Sequence, residues 1–263
     1  MPQKIFIVNV GVNASHSLKS PIFEDGTFEF IPIPENRVES GKFTLTYSDL
    51  RSFYNPEESL SKYIPHKYHS HPVHNDPEFF GSTYGDNCEL PGRARGLRSV
   101  KEGDIILFYA RLVNYNQNQF TNVAGFYFIG FIEVSLIVEN VLTKPASDIL
   151  SLISNNAHIR RGLSNPRYFN GFWVFKGSAK SRRFRMSVPL TRQLAEHIFL
   201  TKMGCSWEWK EQKSDLQTIG SYMRSCRCYI DTKTETGNKQ ATILWGLIQQ
   251  YNPELTDISA YCI

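Results

Sequence analysis

Cysteine is scarce and odd in number: Cys88, Cys205, Cys226, Cys228 and Cys262 are the only five in 263 residues. That count excludes a disulfide-stapled secreted fold and predicts free thiols in a reducing compartment, the cytoplasm. Cys226-x-Cys228 falls one residue short of the C-x-x-C metal spacing and has no second pair, so neither a metal nor another cofactor is expected. Long apolar runs are missing too. A membrane span needs roughly 18 to 20 consecutive apolar residues, and the longest candidate, Val123–Val138, is broken by Glu133 and two glycines. No membrane partner is therefore expected. The opening run Ile5–Val8 is too short for a secretory core and reads as a strand. No run of like charges reaches five, which excludes an acidic tail or basic arm. Repeats, a P-loop, H-E-x-x-H and the glycine fingerprint of dinucleotide sites are all absent.

Charge is divided along the chain. Residues 1–90 carry seven Lys and Arg against twelve Asp and Glu, whereas residues 91–263 carry 22 against 13. A division of this sign suggests a surface in the second part that attracts polyanions. It is sharpest over residues 149–195, which hold nine basic residues and no acid, with Tyr168, Phe169, Phe172, Trp173, Phe175 and Phe184 interleaved. Nucleic-acid surfaces use both ingredients, cations for phosphates and rings for unpaired bases, at about 1–3 kcal/mol per stacked base. Arg160, Arg161, Lys176, Lys180, Ser181, Arg182, Arg183 and Arg185 are the expected backbone contacts. The plainer alternative makes the rings core and the cations a solvated face.

Lys4–Gly11 reads as a strand, and residues 13–91 as a proline-rich loop region with short strands such as Thr27–Ile31. Ile105–Val113 and Gly125–Val138 form a hairpin in which Gly130 suits a bulge or a barrel corner. Phe172–Phe175 and Phe184–Val188 are further strands. Helices follow Ser147, Thr191 and the capping box Ser214-x-x-Gln217, and a last one carries Ile243, Leu244, Leu247, Ile248 and Tyr251. The fold class expected is α+β, a small curved β-barrel with N-terminal loops and C-terminal helices. Its parts are residues 1–95 lining a pocket, 96–200 as barrel core and 201–263 as helical end, in one compact unit.

Two polar clusters lie in the acidic part. Asn9, Asn13 and His16 follow the first strand and, with Phe23, Asp25 and Asp76, offer the amides, carboxylates and ring that a nucleobase pocket needs. Asn and Ser there also form turns. His66, His69, His71 and His74 lead into Asp76, Glu78 and Asp86, a set with general acid and base capacity but without a matched metal spacing. As a catalytic set the candidates are Asp25, Glu29, Asp76 and Asp86, assisted by His16 or His74.

Five stretches together resemble the nucleotide modification associated domain, type three. They are Val8–His16, the run Ser20-Pro21-Ile22-Phe23-Glu24-Asp25-Gly26-Thr27-Phe28-Glu29 extending to Pro34, His74–Phe79, Thr83–Asp86 and Gly103–Ala110. The resemblance implies an association with modified bases in phage and mobile-element DNA, a context without a mechanism. Separately, Gly103-Asp104 entering Leu107-Phe108-Tyr109, with the return Gly125–Val134, is similar to the core of PUA-like folds, which include domains that bind flipped or modified bases. The function expected is recognition of a modified nucleotide in DNA or RNA. The alternatives are an enzyme that modifies or removes a base, and an assembly protein without ligand.

Overall fold

The computed structural model describes residues 4–36, 45–89, 93–199, 209–225 and 229–255. Ten strands are assigned: β1 (Lys4–Val10), β2 (Ser20–Ile22), β3 (Ile33–Pro34), β4 (Val73–His74), β5 (Thr83–Asp86), β6 (Ile105–Asn116), β7 (Gln119–Val141), β8 (Phe172–Gly177), β9 (Arg182–Pro189) and β10 (Tyr229–Asp231). Five helices accompany them: α1 (Ser147–Ile153), α2 (Ala157–Ser164), α3 (Arg192–Ile198), α4 (Asp215–Ser225) and α5 (Glu235–Tyr251).

The fold is α+β around one eight-stranded sheet, whose main path runs β10-β1-β6-β7-β8-β5. Parallel β1 and β2 follow one another along the same edge of β6, and β9 pairs with β7. Residues Ile105–Ala110 of β6 are all buried, because both faces of the sheet are covered. Period two then sorts the side chains. Ile105, Leu107 and Tyr109 face a core with Ile198, Leu244, Trp245 and Ile248 of α3 and α5. Ile106, Phe108 and Ala110 face Phe28, Phe30 and Tyr84 of the N-terminal region. A third core, with Tyr47, Leu60, Tyr63 and Val73, gives the proline-rich region its own interior, and a fourth seats Ile153 and Ile159 on Phe172 and Val174 of β8.

The expected hairpin is present with a tighter tip. Gln117 and Asn118, both at positive φ, form a two-residue turn whose twist matches the strands. The small barrel is not what the strands build. Among the described residues the path stays open, with β10 pairing only β1 at one end and β5 pairing only β8 at the other. The reason lies in β7, 23 residues long, which shifts register at Ile129 and Gly130 and changes partners. Its first part pairs with β6 and β9, and its last part with β8. Thr27–Ile31 is not a strand and makes only the bridge Ile22–Phe28.

Two of the three expected caps hold, whereas Ser147 is the first residue of α1 and does not cap it. Thr191 accepts from the Leu194 N–H, and Ser214 and Gln217 exchange capping bonds. The helix expected from Ser147 through Ala157 divides at Asn156, which caps α2 by accepting from the His158 N–H at 3.0 Å. Cys205, Cys226, Cys228 and Cys262 lie outside the described residues, and Cys88 is a buried free thiol.

Candidate functional site

Three chain segments that sequence reading kept apart converge beside β5. The β3–β4 pair sets Ile33 opposite His74, so Glu35, two residues on, lies diagonally across on the same face. His74 Nδ1–H donates to Glu35 Oε2 at 2.9 Å, since an ionised carboxylate only accepts. In the neutral ring the other nitrogen, Nε2, then holds its lone pair inward. Two residues further, Asp76 is buried, and its Oδ2 accepts the Gly85 N–H at 2.9 Å. Its Oδ1 is buried with no hydrogen-bond partner.

The second imidazole comes from α2. His158 Nε2 lies 3.6 Å and His74 Nε2 3.9 Å from Asp76 Oδ2, and the two rings meet edge to face at 4.8 Å. Arg161, one helical turn on, donates its Nη2–H to His158 Nδ1 at 2.8 Å, and its Nη1 lies 3.6 Å from Glu35. Guanidinium has no acceptor, so Nδ1 must accept and the ring proton sits on Nε2, facing Asp76. Gly85 makes the approach possible, because a Cβ there would come within 2.8 Å of the His158 ring and 3.0 Å of Asn156 Oδ1.

Burial pushes the Asp76 carboxyl well above its ordinary range, and the negative charges of Asp86 and Glu78 add to the rise. The Gly85 N–H and the Arg160 charge oppose it. Arg160 is half-buried beside this carboxylate pair, with Nη2 lacking a partner. Glu78 spends its oxygens on the N–H groups of Phe80 and Gly81, and Asp86 accepts from the Tyr84 hydroxyl and the Asn87 N–H. Among the described residues, the side chains able to hold a cation together are His74, Asp76 and His158, whose ligand atoms all lie within 4.8 Å of one another.

The remaining expected site residues lie elsewhere. Asn13 and His16 close a turn on each other, with Asn13 N–H donating to His16 Nδ1, and Asn13 Oδ1 also takes the Ser15 N–H. Asp25 is exposed and closes a turn through Thr27. Phe23 packs against Tyr63 and Tyr115, and Asn9 is half-buried on β1 opposite Tyr109. Of the four clustered histidines, His66 and His71 are exposed and His69 bonds the Ile64 carbonyl, leaving His74 alone at the site.

The basic stretch is also redistributed. Arg183 is interior, its guanidinium between the Phe28 and Phe53 rings at 4.2 and 3.9 Å and beside Glu29, whose carboxylate Ser52 and Phe53 also contact. Arg161 is buried at Glu35, so neither residue lies where a polyanion backbone could reach it. Lys176 donates to the Gly81 carbonyl, Ser181 accepts the Glu133 N–H and Arg182 donates to the Lys180 carbonyl. Lys180 and Arg185 are exposed. Glu35, His158 and Asn156 are site residues that the sequence did not disclose. An Asn followed two residues later by His is the cap signal of α2, and nothing in it points to a site.

A family model described as nucleotide modification associated domain 3 matches residues 4–230, a span that takes in every residue of this cluster. No curated protein and no solved structure matches the chain.

Proposed function

The chain belongs to the nucleotide modification associated domain 3 family, and on that premise we propose that it is an enzyme acting on a nucleotide, with His74, Asp76 and His158 as its reactive centre. The observation that carries this reading is the buried Asp76 carboxylate, its Oδ1 without a hydrogen-bond partner and its Oδ2 3.6 and 3.9 Å from two imidazoles that are held from behind by different groups. Glu35 holds His74 with a lone pair inward, as a proton acceptor. Arg161 holds His158 with N–H inward, as a donor. Opposed imidazoles around a carboxyl of raised pKa suit proton transfer at a base or sugar, because such groups exchange protons near neutral pH. His74 keeps the most exposure of the three, its side chain 14% open, and substrate would approach along that edge. Arg160 supplies positive charge beside the centre for an anionic group such as a phosphate.

Recognition of a modified base by Asn9, Asn13, His16, Phe23 and Asp25 has less support, because those polar side chains are engaged in turns and Phe23 in a separate core. Nucleic acid remains the proposed carrier of the nucleotide, met by the exposed Lys180 and Arg185. The test is incubation of the protein with nucleotides, single strands and duplexes carrying ordinary or modified bases, followed by mass analysis of the nucleosides. Wild type is expected to yield a nucleoside of altered mass, and Asp76→Asn to abolish it without lowering the melting temperature. Undiminished product from the Asp76→Asn variant would overturn the assignment of the centre.

A further inference from the structure

We infer that His74, Asp76 and His158 together bind one divalent transition-metal ion. The inference rests on the proposed reading only for the location of the centre; with an ion bound, the two Nε2 atoms would serve as its ligands in place of the proton transfer described above. Asp76 Oδ2 stands 3.6 and 3.9 Å from the two imidazole nitrogens, too far for hydrogen bonds. Yet all three groups point at one another, and Asp76 Oδ1 is buried without a donor. The Asp76 carboxylate and neutral His74 offer lone pairs to this gap, and His158 does so in its other tautomer, so a cation placed between them would be met by all three. Metal–ligand bonds of 2.0–2.2 Å put the ligand atoms of a tetrahedral site roughly 3.3–3.6 Å apart, so separations of 3.6 and 3.9 Å to Asp76, with all three ligand atoms within 4.8 Å of one another, close on a cation when the two imidazoles shift toward each other. The ligands come from β4, the residue-76 loop and α2, all held by the packed cores on either side.

The surroundings agree with this assignment. Carboxylate on the far nitrogen of a ligating imidazole is the usual second layer of a metal site, and Glu35 takes that place on His74. His74 and Asp76 present lone pairs as they stand. His158 presents one once its proton passes from Nε2 to Nδ1, whereupon Arg161 turns wholly to Glu35, already 3.6 Å from its Nη1. Two imidazoles and one carboxylate favour iron, cobalt, zinc or manganese over magnesium and calcium, which take oxygen ligands. Three protein ligands on a centre reached along the His74 edge leave positions for water or substrate. His74-x-Asp76 with a distant His158 is not a zinc-finger or H-E-x-x-H spacing, so the sequence did not disclose it.

The experiment uses the full chain, stripped with chelator and titrated with cobalt(II), whose visible absorption reports its ligands, and then with zinc(II) and magnesium(II). One cobalt per chain is expected, displaced by zinc and not by magnesium, with a raised melting temperature in the presence of either transition metal. Asp76→Asn and His74→Gln are expected to lose stoichiometric binding while keeping the wild-type circular dichroism, and His158→Gln to weaken it at least about 10-fold. The pair His66→Ala and His71→Ala, on exposed residues, is expected to change nothing. Failure of the stripped wild type to bind cobalt or zinc stoichiometrically would overturn the inference, as would binding that survives in both Asp76→Asn and His74→Gln. The readout is separate from turnover. A chain that binds no metal but loses its product on Asp76→Asn sinks the metal site and leaves the enzyme, and a metal-binding chain whose product is indifferent to that substitution does the reverse.

Discussion

Arg183 shows how far a residue's role depends on what lies across from it. In sequence it is one of two adjacent arginines in a basic turn, indistinguishable from Arg182. In the structure Arg182 stays half-buried at the end of the β8–β9 turn, whereas Arg183 threads between Phe28 and Phe53 to Glu29, across 154 residues of chain. Alternation along β9 sends neighbours to opposite faces, so only one of the pair can face the N-terminal region. Removing one partner of a buried ion pair leaves the other uncompensated, at a cost of about 3–5 kcal/mol. Arg183→Ala should therefore lower the free energy of unfolding by about that amount, and Arg182→Ala by less than about 1 kcal/mol. Urea denaturation of both variants checks it, and equal effects would refute the clasp. The same reasoning explains why only His74 and Asp76 of the expected catalytic residues share one centre. Asn13 was legible as a turn former and the structure uses it so, while His16 and Asp25, expected at a pocket, also close turns.

At the scale of elements, the centre depends on how closely α2 approaches β5. Asn156 starts the helix, its cap sets the position of His158, and Gly85 leaves the space that the imidazole occupies. Gly85→Ala keeps the strand but forces the His158 ring and Asn156 to give way, so the variant should lose most product formation and metal affinity. Overpacking of this kind costs about 1–3 kcal/mol, and the variant should still fold. Gly85→Ala with wild-type activity and metal binding would show that the approach of α2 is not limiting. The cap residues Thr191, Ser214 and Gln217 and the β6–β7 hairpin were readable in advance, because caps and turns are local chemistry. Where β7 goes after Gly130 was not, since each half of that strand is a plausible partner for several others and packing selects among them.

For the whole molecule, the division of charge along the sequence is largely met within the fold. Arg183 meets Glu29, Arg161 meets Glu35, and Arg160 lies beside Asp76 and Glu78. A stretch of 47 residues without an acid therefore does not by itself amount to an exposed basic face. What it leaves outward includes Lys180 and Arg185. If these carry a nucleic-acid substrate, the double variant Lys180→Ala and Arg185→Ala should weaken oligonucleotide binding. It should also reduce the slope of log affinity against log salt by about one unit per lost contact. An unchanged slope over a salt series would remove both residues from the interface.

The sequence by itself determined what short-range physics can set. Short-range signals are enough for the α+β class through periods of 2 and 3.6, the starts of α3 and α4 through caps, the central hairpin through apolar runs about a polar tip, and family membership through motifs read in order. Tertiary structure alone decided that the sheet stays open, that Arg183 and Arg161 turn inward, and that His158 joins His74 and Asp76. The last two outcomes join residues 82 or more positions apart, and what fixes all three is side-chain packing and the pairing of buried charge, which linear spacing does not encode.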